Sequence, residues 1–258
     1  MTQALFRTDA YLTECSATVT AVTEQGIVLD RTVFYPLGGG QGGDTGELVV
    51  LSGPYQGRVI EITDTRKCKD AEGRFTSDVC HLPRAGAATD GAPAVAPQTP
   101  ALQVGDTVLA RIDWERRHKM MRFHTATHLL CHLVPQLVNG CSITPQYARL
   151  DFNMTDPLDK DQLTAGIARL VAEAHPVSTR WISDAELDAN PGLVRSMSVL
   201  PPRGSGRVRL VEVLGVDLQP CGGTHVDNTA DIGAVIVTKI EKKSAKTRRV
   251  VLGFVDQP

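Results

Sequence analysis

Two pairs of side chains that commonly bind metals, far apart in the chain, constrain the fold most strongly. His124 and His128 are four residues apart, and so are Cys221 and His225. In a helix the first spacing puts both imidazoles on one face, about one turn apart, where they can share an ion. A Gly-Gly-Thr turn separates the second pair, and its missing side chains permit tight curvature. If the pairs act jointly, the fold must bring one helix against one turn.

Together the pairs supply two or three imidazoles and a thiolate, a donor set that favours zinc. Each pair also has a structural interpretation, because helical histidines recur without binding metal and a cysteine is often a buried thiol. The metalloprotease motif H-E-x-x-H is excluded, since Thr125 stands where its glutamate base belongs. We predict one zinc ion per chain, bound by His124, His128 and Cys221, with His225 completing or gating the set.

The strongest helix signal surrounds the first histidine pair. Residues 113–134 contain no Gly or Pro, Asp113 can cap the start, and Pro135 ends the run. A second helix is predicted at residues 160–174, where an apolar stripe is formed by Leu163, Ile167, Leu170 and Val171. Predicted strands follow at residues 207–214, 234–238 and 249–254, so this half of the chain is α+β.

The first third of the chain predicts a small barrel of short strands. Its β-prone runs are residues 15–22, 26–29, 32–35, 47–51, 58–63 and 107–112. Between residues 83 and 100, twelve of eighteen residues are Ala, Pro or Gly, which predicts a loop inserted in this domain. The fold class is therefore α+β, with a β-barrel domain at residues 1–112 and a zinc-containing domain at residues 113–258.

A glycine-rich stretch at residues 34–46 reads F-Y-P-L-G-G-G-Q-G-G-D-T-G and contains a formal G-x-G-x-x-G. A dinucleotide site would require a helix next, whereas residues 47–51 predict a strand. Two interpretations stay open. The loop either approaches a ligand closely, with Gln41 and Asp44 as its polar groups, or forms a tight barrel corner.

Charge is nearly balanced over the whole chain, at a formal −2, so any contact with nucleic acid must be a local patch. The first 112 residues carry 9 basic and 13 acidic side chains, and the remainder carries 18 and 16. The clearest patch is residues 239–249, with six basic residues and one acid. The alternatives are a solvated turn there, with RNA held instead by Arg116, Arg117 and Arg122.

Six cysteines, at positions 15, 68, 80, 131, 141 and 221, are irregularly spaced, and no apolar segment follows Met1. This pattern argues against a secreted disulfide framework and predicts reduced thiols in the cytoplasm. No apolar run approaches the roughly 20 residues that a membrane span needs. The sequence therefore predicts no membrane partner, and it carries no signal of oligomeric state.

Three motifs in a fixed order carry a family resemblance. The glycine-rich stretch comes first, then D-W-E-R-R-H-K-M-M-R-F-H-T-A-T-H-L-L at residues 113–130, then D-L-Q-P-C-G-G-T-H-V at residues 217–226. This arrangement resembles the editing region of alanyl-tRNA synthetase and the free-standing AlaX trans-editing proteins. It covers nearly the whole chain apart from the Ala/Pro insertion, and the length resembles the medium-sized AlaX class.

The resemblance implies roles for individual residues. The second domain becomes a zinc-binding aminoacyl-tRNA editing domain, with zinc on the four residues named above. Gln41 and the loop of Gly38, Gly39 and Gly40 would face the aminoacyl end of the tRNA. A basic strand and loop facing the RNA would contain Lys242, Lys243, Lys246, Arg248 and Arg249.

The implied activity is hydrolysis of the ester between tRNA(Ala) and a wrong amino acid. Serine is the leading candidate for this amino acid, and glycine is the alternative. A synthetase pocket built for alanine rejects such small analogues weakly, so a second site must remove the product. We predict that Gln41, Thr125 and Thr127 contact the seryl hydroxyl, while either threonine could instead bond its own helix backbone. The rival hypothesis is a zinc-stabilised tRNA-binding protein without hydrolytic activity. Polarising, hydroxide-generating and orienting roles for zinc all stay open.

Overall fold

The computed structural model describes residues 1–84, 102–197 and 206–255. The chain divides into two compact units, the first comprising Met1–Gly38 and Gly43–Arg117, the second Gly39–Gly42 and His118–Pro258. Four residues of the glycine-rich loop thus belong to the second unit. The domain boundary after residue 112 stays a prediction. The predicted insertion at residues 83–100 lies outside the described residues, except for its first two.

Eight strands of the described residues form the first unit. They are β1 (Gln3–Ala4), β2 (Glu14–Thr23), β3 (Gly26–Leu29), β4 (Arg31–Thr32), β5 (Gly46–Val50), β6 (Val59–Lys69), β7 (Phe75–Pro83) and β8 (Thr107–Ile112). Six of them close into an antiparallel barrel in the order β2-β3-β7-β6-β5-β8. Strands β1 and β4 pair in parallel, and a 3-10 turn spans Leu5–Arg7. The predicted N-terminal barrel is confirmed.

Buried apolar side chains alternate with exposed side chains along the strands, and the buried ones fill the barrel interior. On β6, Ile60 and Ile62 are buried while their neighbours Val59 and Glu61 are exposed, as expected when one face of a sheet is covered. The fully buried interior side chains include Ile27, Leu29, Phe34, Leu48 and Val108. Strand β7, which the sequence analysis missed, closes the ring between β3 and β6.

The prediction of a strand at residues 32–35 is wrong beyond Thr32, where β4 ends. The following backbone is buried, and side chains supply its hydrogen bonds instead of a neighbouring strand. Arg117 Nη2 donates to Val33 O at 2.7 Å, and Tyr35 N donates to Asp44 Oδ2 at 2.6 Å. A buried backbone can take its hydrogen bonds from a neighbouring strand or from side chains, and apolar, β-prone composition does not distinguish the two cases.

The prediction that all six cysteines are reduced is wrong for Cys68 and Cys80, which form a disulfide. Cys68 lies on β6 and Cys80 on β7, and antiparallel pairing of these strands brings their α-carbons to 5.3 Å. Their spacing in sequence carried no such signal, because β7 itself was not predicted. Four cysteines remain free thiols: Cys15, Cys131, Cys141 and Cys221.

The second unit contains α+β structure. Its elements are α1 (Trp114–Leu133, which begins in the first unit), β9 (Val138–Ile143), β10 (Ala148–Asn153), α2 (Lys160–Ala172), β11 (Val177–Ser183), α3 (Asp184–Ala189), β12 (Arg207–Val213), β13 (Asp217–Pro220), β14 (Val235–Ser244) and β15 (Thr247–Phe254). One sheet has the order β14-β15-β10-β9 and the other β11-β12-β13. Two 3-10 turns span Pro191–Leu193 and Thr229–Ile232. The sequence analysis missed β9, β10, β11, β13 and α3.

Both predicted helices are confirmed. Asp113 caps α1 by accepting from Arg116 N at 3.0 Å, and α2 ends two residues earlier than predicted. Helix α1 buries residues on all sides, among them Met120, Met121, Phe123, Leu129 and Leu130 at 0% exposure. It is therefore a central helix, which explains why no single apolar stripe marks it. Within the described residues, no helix combines the length and apolar character that crossing a membrane requires.

Candidate metal centre

Helix α1 and the turn after β13 bring the two predicted pairs together. The four potential ligand atoms of His124, His128, Cys221 and His225 all lie within 4.8 Å of one another. The three histidines are 3–4% exposed, and Cys221 is partly buried. The third helical histidine, His132, is exposed and bonds Val216 O instead. The recurring spacing thus supplies two cluster residues, and the third ring lies elsewhere.

Each imidazole of the cluster directs its Nδ1 at a protein oxygen. The pairs are His124 with Gln41 Oε1 at 2.8 Å, His128 with Asp217 Oδ2 at 2.8 Å, and His225 with Thr125 Oγ1 at 3.2 Å. In a neutral ring, an oxygen acceptor favours the tautomer with the proton on Nδ1, which leaves the Nε2 lone pair available. The three rings are therefore oriented so that Nε2 is the nitrogen that can bind a metal.

The Nε2 atoms face the thiol sulfur. Cys221 Sγ lies 3.4 Å from His124 Nε2 and 3.3 Å from His225 Nε2. A tetrahedral zinc site with Zn–S of about 2.3 Å and Zn–N of about 2.0–2.1 Å has S···N edges of roughly 3.6 Å. The donor types and these two S···N distances fit zinc.

Ionisation within the cluster also suits a cation. Burial opposes ionisation of Cys221, but the neighbouring His124 and His225 outweigh it and hold its pKa well below the ordinary value. Burial, and then the neighbouring His124, lower the pKa of His225 to about 3. Burial likewise disfavours charge on His128, yet its bonds to Asp217 and Cys221 raise its pKa to about 10. The cluster thus contains a thiolate that attracts positive charge.

Backbone contacts fix the turn that carries Cys221. Arg209 on β12 donates from Nη1 to Cys221 O at 2.9 Å and to Gly223 O at 3.0 Å. Gly223 N lies 3.4 Å from Cys221 Sγ, and a Cβ at Gly223 would overlap the ring of His124. The glycine is therefore required here because the turn packs directly on a cluster histidine.

The glycine-rich loop contributes Gln41 to the same unit. Gly42 N donates to Ile143 O at 3.0 Å, and Ile143 N donates to Gly40 O at 2.8 Å. The Gln41 amide is 0% exposed; it accepts from Thr224 N at 3.1 Å and donates to Thr224 Oγ1 at 2.8 Å. Strand β5 follows this loop, which confirms that the glycine pattern is not a dinucleotide motif. Gln41 thus links His124 to the turn.

The two predicted threonines are buried and bonded to the backbone. Thr125 Oγ1 donates to Met121 O at 3.1 Å and accepts from Val226 N at 3.2 Å. Thr127 Oγ1 donates to His124 O at 2.7 Å. The alternative in which a threonine bonds its own helix therefore describes both residues.

Other predicted substrate-binding residues lie in the first unit. Tyr35 donates from its hydroxyl to Gly38 O at 2.8 Å. Asp44, at 1% side-chain exposure, forms a buried ion pair with Arg117, whose side chain is 0% exposed. Arg117 is thereby excluded as an alternative RNA contact. A substrate contact for Asp44 stays a prediction.

The basic run at residues 239–249 forms the β14–β15 hairpin. Lys242, Lys243 and Lys246 are exposed near its tip. Arg249 is partly buried and donates to both carboxylate oxygens of Asp151, at 2.6 and 2.8 Å. Arg248 is partly buried and bonded to the carbonyl of Thr155. The lysines are thus the accessible charges of this hairpin.

Sequence reasoning missed three residues around the cluster: Asp217, Gln219 and Thr224. Gln219 Nε2 donates to Asp217 Oδ2 at 2.8 Å, so the carboxylate that holds His128 is itself held. All three stand inside the third motif, and Asp217 is four residues before Cys221. Carboxylate–histidine–metal triads supply the signal that could have found Asp217.

Comparisons with known proteins place the chain among aminoacyl-tRNA editing proteins and synthetases. The family described as "Threonyl and Alanyl tRNA synthetase second additional domain" matches residues 208–251. The alanyl-tRNA editing protein AlaX-M of Methanosarcina mazei is 33% identical over 267 residues, covering 100% of this chain and 98% of that protein. AlaX-M of Saccharolobus solfataricus is 30% identical, covering 97% and 98%.

A longer relative matches as well. An alanine-tRNA ligase of Saccharolobus islandicus is 30% identical over 250 residues, covering 93% of this chain and 25% of the ligase. The match to AlaX-M proteins, in contrast, extends over nearly the full length of both partners. The chain therefore belongs to the AlaX-M family of alanyl-tRNA editing proteins.

Proposed function

We propose that this protein hydrolyses the ester between tRNA(Ala) and a wrong amino acid. Serine is the leading candidate for this amino acid, and glycine is the alternative. The observation that carries the proposal is the cluster of three Nε2-directed imidazoles and one thiolate in a full-length relative of AlaX-M proteins. A site that hydrogen-bonds the seryl hydroxyl can spare alanyl-tRNA, because alanine would leave buried polar groups unpaired.

His124, His128, Cys221 and His225 would hold one zinc ion. Zinc supplies Lewis acidity toward the ester carbonyl or toward water. The protein's own contribution is orientation: Asp217 holds the proton on His128 Nδ1 at 2.8 Å and is itself 6% exposed. Asp217 is thus a positioning residue and not a free base.

Gln41 and Thr125 fit the same positioning role. Each accepts a hydrogen bond from the Nδ1 of one cluster histidine, and each is 0% exposed. Contact with the seryl hydroxyl stays a prediction for Gln41, Thr125 and Thr127. Replacing Gln41 with alanine separates the roles, since lost positioning lowers zinc affinity whereas a lost substrate contact lowers only discrimination.

The exposed lysines of the β14–β15 hairpin are proposed to hold the acceptor arm. Lys242, Lys243 and Lys246 present charge without a fixed geometry, which suits phosphate contacts that position RNA without reading its sequence. The predicted contacts of Arg248 and Arg249 belong to this proposal as well, with Arg249 already paired to Asp151.

Single-turnover deacylation of seryl-tRNA(Ala) and alanyl-tRNA(Ala) tests the proposal. We expect rapid release of serine and much slower release of alanine. Equal rates would indicate a nonspecific esterase. Cys221→Ala should lose both zinc and activity, whereas Cys15→Ala, which removes a partly buried free thiol of the first unit, should keep both.

A specific observation also favours the rival function. Four protein ligands around one ion form the closed tetrahedron that is typical of structural zinc. In that case the protein binds tRNA(Ala) without hydrolysing its ester. No release of either amino acid by zinc-loaded protein, with tRNA binding retained, would establish the rival.

A further inference from the structure

An exposed tryptophan lies on the edge strand of the three-stranded sheet. Trp181 on β11 is 42% exposed, although strands usually cover so large a side chain. The guanidinium of Arg207, on β12, lies 4.7 Å from the centre of the indole ring. One ring face therefore meets a cation, and a large part of the indole is open to solvent.

Strand register places this tryptophan beside the turn of the metal centre. Trp181 is directly opposite Arg209, and Cys221 N donates to Arg209 O at 3.1 Å on the other side of β12. Residues paired across antiparallel strands project from the same face of a sheet. Trp181, Arg209 and Cys221 thus form one row across the sheet. With about 4.8 Å per strand, roughly 10 Å separates the backbones at the two ends of this row.

The opposite face of the sheet is already covered. Ile182, Val208 and Leu210 are buried there in one cluster with Leu187. The indole therefore does not belong to this apolar core, and packing of the core does not explain why a tryptophan stands at this exposed position. On the face that carries Trp181, Arg207 and Arg209 stand two residues apart on β12, whereas Arg180 lies on the opposite face with its Nε 3.9 Å from Glu212 Oε2. The charged side chains of β11 and β12 that share the face of the indole are therefore both arginines, which suits a polyanion.

We propose that Trp181 and Arg207 form a stacking platform for a nucleobase in the unpaired 3′ end of the tRNA. The inference rests on the proposed function, which puts the ester-bearing terminal nucleotide at the metal centre. Stacked nucleotides advance about 3.4 Å each, so a 10 Å row corresponds to a base within about three nucleotides of the ester. Aromatic faces bind such bases without reading their identity, and an arginine adds charge for the backbone.

Tryptophan fluorescence tests the contact directly. The chain has two tryptophans, so Trp114→Phe leaves Trp181 as the single reporter. The probe is an RNA hairpin that carries no amino acid and contains the acceptor stem of tRNA(Ala) with its unpaired 3′ end. We expect quenching by this hairpin and little quenching by the same hairpin without its unpaired nucleotides. Equal quenching by both would place RNA contacts elsewhere and overturn the platform.

Affinity and rate supply the second readout. Trp181→Ala should weaken binding of the intact hairpin about 5- to 150-fold, the range for loss of one stacked base, while Trp181→Phe should retain most of the affinity. Phe75→Ala is the matched control, because Phe75 is also an exposed ring, 68% exposed, with Lys69 5.2 Å from its centre. Wild-type affinity in Trp181→Ala would contradict the proposal.

Hydrolysis separates the platform from the proposed function. In Trp181→Ala, single-turnover release of serine should need more enzyme for half-saturation yet reach a wild-type rate at saturation. If wild-type protein binds the hairpin through Trp181 but releases no serine, the platform stands and the hydrolase assignment fails. If wild-type protein releases serine and Trp181→Ala has the same half-saturation, the hydrolase stands and the platform fails.

Discussion

Replacing Gly223 with alanine tests whether the Cys221 turn is packed against His124. Neither Gly222 nor Gly223 has a left-handed φ, so the backbone tolerates alanine at both positions. The two differ in their surroundings. A Cβ at Gly223 would overlap Cε1 and Nδ1 of His124 and lie 2.9 Å from Gln41 Oε1, whereas a Cβ at Gly222 meets nothing within 4 Å.

The overlap sets the size of the effect. Carbon atoms separate to about 3.5–4.0 Å, so the His124 ring or the turn must retreat by more than an ångström. A zinc ligand tolerates roughly 0.2 Å. Overpacking of this kind typically costs about 1–3 kcal/mol, which corresponds to a loss of zinc affinity of roughly 5- to 150-fold if displacement of His124 relieves it.

Zinc titration against a fluorescent chelator measures this loss. Gly223→Ala should bind zinc more weakly and release serine from seryl-tRNA(Ala) more slowly, while Gly222→Ala should match wild type in both assays. Thermal unfolding of the zinc-free proteins checks that both variants fold. Identical zinc affinities for the two alanine variants would refute the packing that we describe.

Three further predictions follow from individual contacts. Asp217→Asn should lower zinc affinity about 10- to 100-fold in the chelator assay, because the charged acceptor of His128 is lost, and Asp156→Asn at an exposed position should not. Burial lowers the pKa of His81 to about 4, so the unfolded chain binds more protons between about pH 6.5 and 4. The free energy of unfolding should therefore fall by up to roughly 3 kcal/mol as the pH drops through this window, and denaturant titrations of His81→Gln should show a flatter profile. Replacing Lys242, Lys243 and Lys246 with alanine should weaken binding to all tRNAs alike and flatten the plot of log affinity against log salt by roughly one unit per lost contact, whereas an unchanged slope would leave the hairpin a solvated turn.

Local signals predicted the parts of the fold that local chemistry determines. Helix α1 follows from the run without Gly or Pro between Asp113 and Pro135, and the metal cluster follows from two four-residue spacings. The barrel strands follow from β-prone runs between turn residues, although β4 ends at Thr32 because Arg117 and Asp44 satisfy the backbone beyond it. That ion pair joins residues that are far apart in the chain, so no local sequence pattern predicts it.

Long-range pairing accounts for most of what the sequence did not reveal. Strand β11 is exposed at four consecutive residues, so it lacks the alternation that marks a strand, and pairing with β12 defines it instead. Cys68 and Cys80 meet only once β6 and β7 pair. Asp217 stands inside a motif that was recognised, yet its contact with His128 requires β13 to lie against α1.

The zinc K-edge X-ray absorption spectrum of the purified protein tests the central claim most directly. The claim is that one thiolate and three imidazoles, all engaged through Nε2, form a metal centre. It predicts one zinc per chain with one sulfur at about 2.3 Å and nitrogen ligands at about 2.0–2.1 Å. Protein without zinc, or zinc bound without a sulfur ligand, would contradict it.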